Sequence, residues 1–507
     1  MGLICINVDP AGRSLIPPLG VKQNRFNMAT GLTQGETTAQ IEEYYSYFQT
    51  VKKDVVKPAR IHHHDPSRLI YLSNLDFLHM YMEMLFAYRL SDTSDTLYNQ
   101  FVLGLKQSLA KVLVSFYPAA GGLVGTCDMH HPVVIVCDDR GVPFIEAYKD
   151  EQMEEILKNH ERVIPLSGLQ AAGIVYNSFR HPPEIPESGI PCVIVQITRF
   201  KCGGVSVTVS WNHLLADMVG VMLLIKAWAD IAGKGETTVV PDIDRTVLSP
   251  LRADKIGPKI EVESKIEEVQ KVDVSLSSPA NNMAQMGIVR MAGTKVLHIS
   301  KEKIGMVKQA ALDYGYVDVS TLDCICAHLW RSVTRHGNEN AFMGTDFRSF
   351  ATAVEGRGRL RGTLTSNYFG NVVVFASTRK IPTTEILSRP LAYTASLIRK
   401  AIQEITEETY WEAINKVEKG DDKLNDNYLN LVITSWMRYG MYDVDFGSGK
   451  PIHFQPERLQ SIEPAINQAI CYVLPRSPSV GGFHVVISAA SDLLQRLWAD
   501  PEFTSLS

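Results

Sequence analysis

The sequence predicts a two-domain protein of mixed α/β class, equally describable as α+β, and three observations carry that expectation. Its 507 residues exceed what one ordinary core holds, so two domains of roughly 200 to 250 residues are expected. Stretches with an apolar period of two intermingle with stretches at helical spacing in both halves. Between the halves, residues 233–293 are charged and proline-bearing, with Lys255, Lys259, Glu261, Glu263 and Lys265 close together, as in a solvated crossover. The resulting division is an N-terminal extension (1–53), a first domain (54–233), a crossover linker (234–293) and a second domain (294–507).

In chain order, Thr37 to Lys53 reads as a short helix. The apolar segments 69–78 and 82–90 read as strands. A long helix is expected from Thr96 to Phe116, where Phe101, Leu105, Leu109, Val112 and Leu113 keep helical spacing. Tyr117-Pro118 ends it, and Gly121-Gly122 turns the chain. Strands follow at 133–139 and 192–200. In 205–212, Val205, Val207 and Val209 alternate with Ser206, Thr208 and Ser210, the pattern of a strand with one buried face. Met218 to Ile231 is an amphipathic helix, with Val221, Leu224, Ile225 and Trp228 on one side. Beyond the crossover come a strand at 296–300, a helix at 301–314 and a second helix from Ser320-Thr321 through Val333. Further strands are expected at 371–377 and 483–490.

Bulk composition narrows the function classes. A formal charge of −5 gives no general attraction to phosphate backbones, so nucleic acid is not an expected partner. No apolar run reaches the ~18 residues of a membrane-spanning helix, and a soluble protein is expected. The eight cysteines are scattered without a Cys-x-x-Cys pair, arguing for free thiols rather than a zinc or disulfide framework. His62-His63-His64-Asp65-Pro66 reads as an exposed turn in preference to a metal site, and no metal is expected. Residues 1 to about 36 match neither a signal peptide nor the full myristoylation pattern, since Ile6 stands where Ser or Thr belongs. The extension is left unexplained, with plastid import as an alternative.

The chemistry centres on the end of the 205–212 strand. His213 stands there, and Asp217, four residues on, opens the following helix. A histidine at a strand end, with a carboxylate one helical turn later, suits a general base on a braced loop, and equally a histidine that caps the helix. No Gly-x-Ser-x-Gly elbow, complete P-loop or dinucleotide fingerprint competes with it.

Seven stretches combine with this one: 105–123, Cys202-Gly203-Gly204, PDIDRTVL at 241–248, VEGRGRL at 354–360, Tyr368-Phe-Gly-Asn371, Ile433-Thr-Ser-Trp436 and Asp445-Phe-Gly-Ser-Gly449. Their order and spacing resemble the plant BAHD family of acyl-CoA-dependent acyltransferases from about residue 54 to the C-terminus. The resemblance implies two chloramphenicol-acetyltransferase-like domains with the active-site channel at their interface. It also implies acyl-CoA as co-substrate, no cofactor, a small alcohol or amine acceptor, and a cytoplasmic monomer whose site is complete in one chain. By the same resemblance His213 is the general base and Asp217 points away from substrate, holding its loop through an ion pair. Asp445, Gly447 and Gly449 shape a structural loop outside the channel. Thr434 and Trp436 match the Thr-Ser-Trp motif of hydroxycinnamoyl-transferring members, where those two residues face the tetrahedral intermediate. Interface packing is the alternative for Trp436.

The YLSNLD stretch at 71–76 also resembles those members. No arginine occurs in 419–431 to clamp an acceptor carboxylate, although Lys419 or Lys423 offers a point charge there. Asp421 and Asp422 suit a cationic amine or solvent, and Met82, Met84, Leu85 and Phe86 suit an apolar acceptor or a core. Two positions depart from the family pattern. Met218 stands where most members have Gly, and Ser448 where most have Trp. These substitutions raise the alternative of a non-catalytic BAHD-like partner in cuticular lipid metabolism. Retention of His213, Asp217, Thr434 and Trp436 together favours an enzyme.

Overall fold

The structure is a computed structural model that describes residues 49–60, 69–73, 75–76, 81–125, 133–158, 189–248, 292–337, 347–418, 431–456 and 469–506. Two six-stranded mixed sheets organise it. The first runs, in spatial order, Gln49–Val56, Val142–Lys149, Val193–Phe200, Val205–Asn212, Tyr81–Tyr88 and His453–Pro456. The second runs Ala292–Ile299, Phe483–Ala490, Ala469–Pro475, Leu431–Ser435, Phe350–Glu355 and Val373–Ser377. The expected mixed α/β class, with sheet and helix in both halves, is what the chain adopts.

Alternation explains the core of each half. On Tyr81–Tyr88, the residues Met82, Met84, Phe86 and Tyr88 face the helices Asp95–Ser115 and Met218–Lys234, whose apolar stripes supply Leu105, Leu109, Val112, Val221, Ile225 and Trp228. The two helices are tied where Trp228 Nε1 donates to the Leu105 carbonyl (3.1 Å) and to Ser108 Oγ (3.0 Å). In the second half, Leu431, Ile433, Cys471, Val473, Val485 and Ile487 meet Thr321–His336, Leu391–Gln403 and Ser491–Ala499 in a separate core. Residues on the opposite face of this sheet, among them Tyr472, Leu474, Val486 and Val296, join the first core instead. The two halves therefore share apolar packing. One strand also departs from division by chain order: His453–Pro456 completes the first sheet, with Phe454 opposite Phe86.

Several element expectations are corrected, among them the single buried face of Val205–Asn212, whose Ser206, Thr208 and Ser210 are buried as fully as the valines between them. The C-terminal part of the Thr37–Lys53 helix is a strand, Gln49–Val56, while residues 37–48 lie outside the described residues. This strand is an exposed sheet edge carrying Lys52 and Lys53, so its charges imitate a solvated helix face. The strand expected at 69–78 stops at Tyr71, because Asp76 folds a turn by accepting from Ser73 N (2.8 Å). The strands 133–139 and 371–377 shorten to Val133–Val136 and Val373–Ser377. The strands at 350–355, 431–435, 453–456 and 469–475 were not anticipated. Each is short and buried on at least one face, where local periodicity says little.

Candidate active site

His213 follows the last residue of the Val205–Asn212 strand, and Asp217 is the N-cap of the Met218–Lys234 helix. Asp217 is extended (φ −72°, ψ 178°), and its Oδ1 accepts from Gly220 N at 2.9 Å. The residues between are held by their own neighbours: Asn212 Oδ1 accepts from Leu214 N (3.1 Å), and Trp211 Nε1 donates to the Ala216 carbonyl (3.2 Å). A connection with so many internal bonds holds His213 in one place.

Segments distant in sequence brace this loop. Arg357 donates Nη1 to Asp217 Oδ2 (2.9 Å) and Nη2 to Asp217 Oδ1 (3.0 Å), and it also bonds the carbonyls of Tyr368 and Gly370. Val372 N completes the Asp217 carboxylate at 2.9 Å. A second buried pair joins Arg245 Nη1 to Asp76 Oδ2 (2.6 Å), and Arg245 also donates to the carbonyls of Leu214 and Leu215. Asp76 Oδ1 accepts from Asn371 N (3.1 Å) and Nδ2 (2.7 Å), and Asn371 Nδ2 reaches the His213 carbonyl at 2.8 Å. Buried charges are tolerable when they are paired and hydrogen-bonded, and every carboxylate oxygen of Asp217 and Asp76 is used here, while Arg245 Nε finds no partner among the described residues. Burial opposes the charge on Arg357, but Asp217 and Glu355 outweigh it and push its pKa up.

His213 is partly buried, with its Nδ1 enclosed and lacking a partner of hydrogen-bond geometry among the described residues. Burial lowers the imidazole pKa. The negative charges of Asp217 and Asp76, its own backbone and Asn371 act in the opposite sense without overcoming that effect. A neutral imidazole at neutral pH can accept a proton, as a general base must.

Thr434 and Trp436 belong to the second half. Thr434 is partly buried on Leu431–Ser435, in register with Tyr472. Trp436 is buried, its ring edge-on to Tyr472 (5.0 Å between centroids) and tilted against Phe454 (6.3 Å), so it packs where the halves meet. These recorded ring contacts are of the packing kind, and none links Thr434 or Trp436 to His213.

Asp445 folds its own loop, accepting from Gly447 N (2.8 Å) and Gly449 N (2.9 Å). Both glycines have φ above +90°, where a Cβ is strained. Phe446 docks this loop on the first half, edge-on to Trp228 (4.7 Å) and Tyr88 (5.9 Å), while Tyr88 Oη donates to the Val444 carbonyl (2.9 Å). Ser448 Oγ is buried without a partner among the described residues, and nothing in the structure explains the substitution at that position. Met218 has a plain account. It is the first helical residue, has no positive φ, and is buried in the first core, so the Asp217–Arg357 pair forms beside it undisturbed.

His62, His63 and His64, together with Lys419, Asp421, Asp422 and Lys423, lie outside the described residues. Among the described residues no group of three His, Cys, Asp or Glu is placed to hold a metal ion, and no helix is long and apolar enough to cross a membrane. Sequence reasoning singled out the segments containing Asp76, Arg245, Arg357 and Asn371 without assigning those residues roles. The available signal was a set of charged and amide residues inside apolar stretches, a sign of buried pairing.

The comparisons agree with this arrangement. The model of the family described as "Transferase family" matches residues 48–504. Shikimate O-hydroxycinnamoyltransferase of Nicotiana tabacum is 27% identical, over 86% of this chain and 95% of its own length. Omega-hydroxypalmitate O-feruloyl transferase of Arabidopsis thaliana is also 27% identical, over 78% of this chain and 81% of its own. An Avena sativa relative, hydroxycinnamoyl-CoA:5-hydroxyanthranilate N-hydroxycinnamoyltransferase HHT4, is 27% identical over 77% and 84%. Among solved structures, vinorine synthase shares the fold with a TM-score of 0.65 at 22% identity, over 90% of this chain and 98% of its own. TRI101 of F. graminearum, solved with coenzyme A and T-2 mycotoxin, gives 0.61 at 20% identity, over 86% and 98%. With its two mixed sheets, its braced histidine loop and a family match along nearly its whole length, the chain belongs to the BAHD acyltransferases, enzymes that use CoA thioesters.

Proposed function

We propose that this protein transfers a hydroxycinnamoyl group from its CoA thioester to a hydroxyl of a small acceptor, with His213 as general base. The observation that carries the reading is the His213 loop itself. A partly buried imidazole, its pKa lowered by burial, sits on a connection braced by two buried ion pairs. The hydroxycinnamoyl and feruloyl transferases among the relatives support the donor class. His213 takes the acceptor proton as its oxygen attacks the thioester carbonyl, and a tetrahedral oxyanion forms. The Thr434 hydroxyl and the Trp436 indole N–H are the proposed donors to that oxyanion. When the C–S bond breaks, the CoA thiolate leaves and His213 returns the proton to sulfur. No acyl-enzyme and no resident metal enter the scheme.

An amine acceptor is the second reading, favoured by the N-acylating oat relative. A neutral amine attacks through its lone pair and gives up a proton from nitrogen as the C–N bond forms, so the same base serves. Of the two substitutions that raise the non-catalytic alternative, Met218 fits the helix beside an intact Asp217–Arg357 pair, which favours an enzyme, while Ser448 stays without a structural account.

The test is CoA release by purified protein given coumaroyl-, caffeoyl-, feruloyl- and long-chain acyl-CoA. Acceptors are shikimate, quinate, an ω-hydroxy fatty acid, a fatty alcohol and an amine, beside a His213→Ala control. Turnover with a hydroxycinnamoyl donor and a hydroxyl acceptor, lost in the control, is expected. Absence of turnover from folded protein with every pair would overturn the reading.

A further inference from the structure

We propose that Phe454 is a positioning residue for Trp436. With one ring contact on each side, it ties the proposed oxyanion donor of the second half to the first sheet, whose Val205–Asn212 strand leads into His213. The inference rests on the reading of Trp436 as oxyanion donor and names what holds the indole for that task.

The indole groups differ in how they are used. Trp211 Nε1 donates to the Ala216 carbonyl, and Trp228 Nε1 to the Leu105 carbonyl and Ser108 Oγ. Among the described residues none accepts from Trp436 Nε1, although the side chain is buried and held by two rings. An N–H of this kind stabilises a developing charge only if its direction is set beforehand.

The backbone fixes where Trp436 starts, not where its ring points. Trp436 N donates to the Val473 carbonyl (2.9 Å), which seats the residue beside the Ala469–Pro475 strand. The ring plane then depends on the side-chain torsions, and so on what encloses the ring. Tyr472 stands edge-on at 5.0 Å within the same half, and Phe454 lies at 6.3 Å with its plane tilted by 49°. Both separations fall within the roughly 4.5 to 7 Å span of aromatic pairs.

Phe454 belongs to His453–Pro456, the strand that chain order gives to the second half and pairing gives to the first sheet. Register sets it opposite Phe86, and the two rings meet at 5.4 Å. Phe86 is in turn opposite Val207, on the strand whose last residue precedes His213. Phe86, Phe454, Trp436 and Tyr472 are all buried, so none of the four rings turns without opening a void or displacing a neighbour. Strand pairing fixes Phe454 relative to the base, and Phe454 fixes the indole. It touches no reacting atom itself.

The experiment is a double-mutant cycle of Phe454→Leu and Trp436→Phe, read as CoA release from coumaroyl-CoA with the hydroxyl acceptor that the unmodified enzyme turns over. Phe454→Leu should lower kcat roughly 10-fold, with KM for acyl-CoA within about threefold. In the Trp436→Phe background the same change should lower kcat less than about twofold, because the N–H that it positions is gone. A merely structural role would give equal losses in both backgrounds, and that result, or no loss in Phe454→Leu, would overturn the proposal. Unchanged kcat in Trp436→Phe would instead remove the oxyanion reading and this inference with it. Should Phe454→Leu not fold, Phe454→Met takes its place in the cycle. A second measurement needs no turnover: the indole ¹H–¹⁵N signal of Trp436, assigned by its loss in Trp436→Phe, should broaden or split in Phe454→Leu. One sharp signal there, at the position seen in the unmodified protein, would also overturn the proposal.

Discussion

Asp217 and Arg357 are separated by 140 positions and meet in a buried two-point pair, 2.9 and 3.0 Å between heavy atoms. The carboxylate starts the helix after His213 in the first half, and the guanidinium leaves the end of the Phe350–Glu355 strand in the second. The histidine loop is therefore held partly by the contact between halves. Replacing Arg357 with Met leaves the Asp217 charge buried and unpaired, which should cost about 3–5 kcal/mol. Urea unfolding at pH 7 measures it, and a loss below about 1 kcal/mol would show that the pair does not brace the loop.

The pH dependence follows from His213 and His328, whose folded-state pKa values both lie below the ordinary imidazole value, burial being the main cause. A lowered pKa means that the unfolded chain binds more protons between the two values, so stability rises with pH in that window. The stabilisation is complete above about pH 6.5 and is lost as pH falls toward the folded-state values. Thermal midpoints at pH 8 should exceed those at pH 5.5, with a smaller difference in His328→Gln. For activity, the acidic limb of kcat/KM should lie below pH 6.5; a limb above it would contradict the burial effect on His213.

Trp436 separates packing from chemistry. Trp436→Phe keeps an aromatic ring against Tyr472 and Phe454 but removes the indole N–H. Loss of one oxyanion donor should lower kcat by about 10²-fold with the melting temperature little changed. Trp436→Ala should also lose about 3–5 kcal/mol of stability. Equal kcat in Trp436→Phe and the unmodified enzyme would assign the residue to packing alone.

Met218→Gly restores the residue that most members of the family carry. Met218 is 7% exposed and part of the first core, so the change should destabilise by about 2–5 kcal/mol and bring no gain in turnover. A rise in kcat would show that the methionine does perturb the loop.

Gly449 has φ +95° with open space around its missing Cβ. Gly449→Ala should cost only backbone strain, about 1–2 kcal/mol, and leave the Phe446 contacts intact. A far larger loss in differential scanning calorimetry would mean that the loop must approach another segment there.

The division between sequence and structure is visible in particular residues. Val205 to Ser210 announced their strand because period-two alternation is a local property, and Met218 to Trp228 announced their helix because a 3.6-residue stripe is another. His213 and Asp217 were legible because both flank that one junction. Gln49–Val56 was misread because an edge strand exposes its charges as a helix does. His453–Pro456 was missed because pairing with Tyr81–Tyr88 joins segments more than 350 residues apart.

The sequence by itself determined the class of fold, the family and the histidine on which the proposed chemistry turns, since these reside in short patterns and their order. Only the tertiary structure decided that Arg357 answers Asp217, that Arg245 answers Asp76, and that Asn371 stands between Asp76 and the His213 carbonyl. The physical reason is that a buried charge or amide must find its partner wherever the fold brings one, and distance along the chain carries no record of that choice.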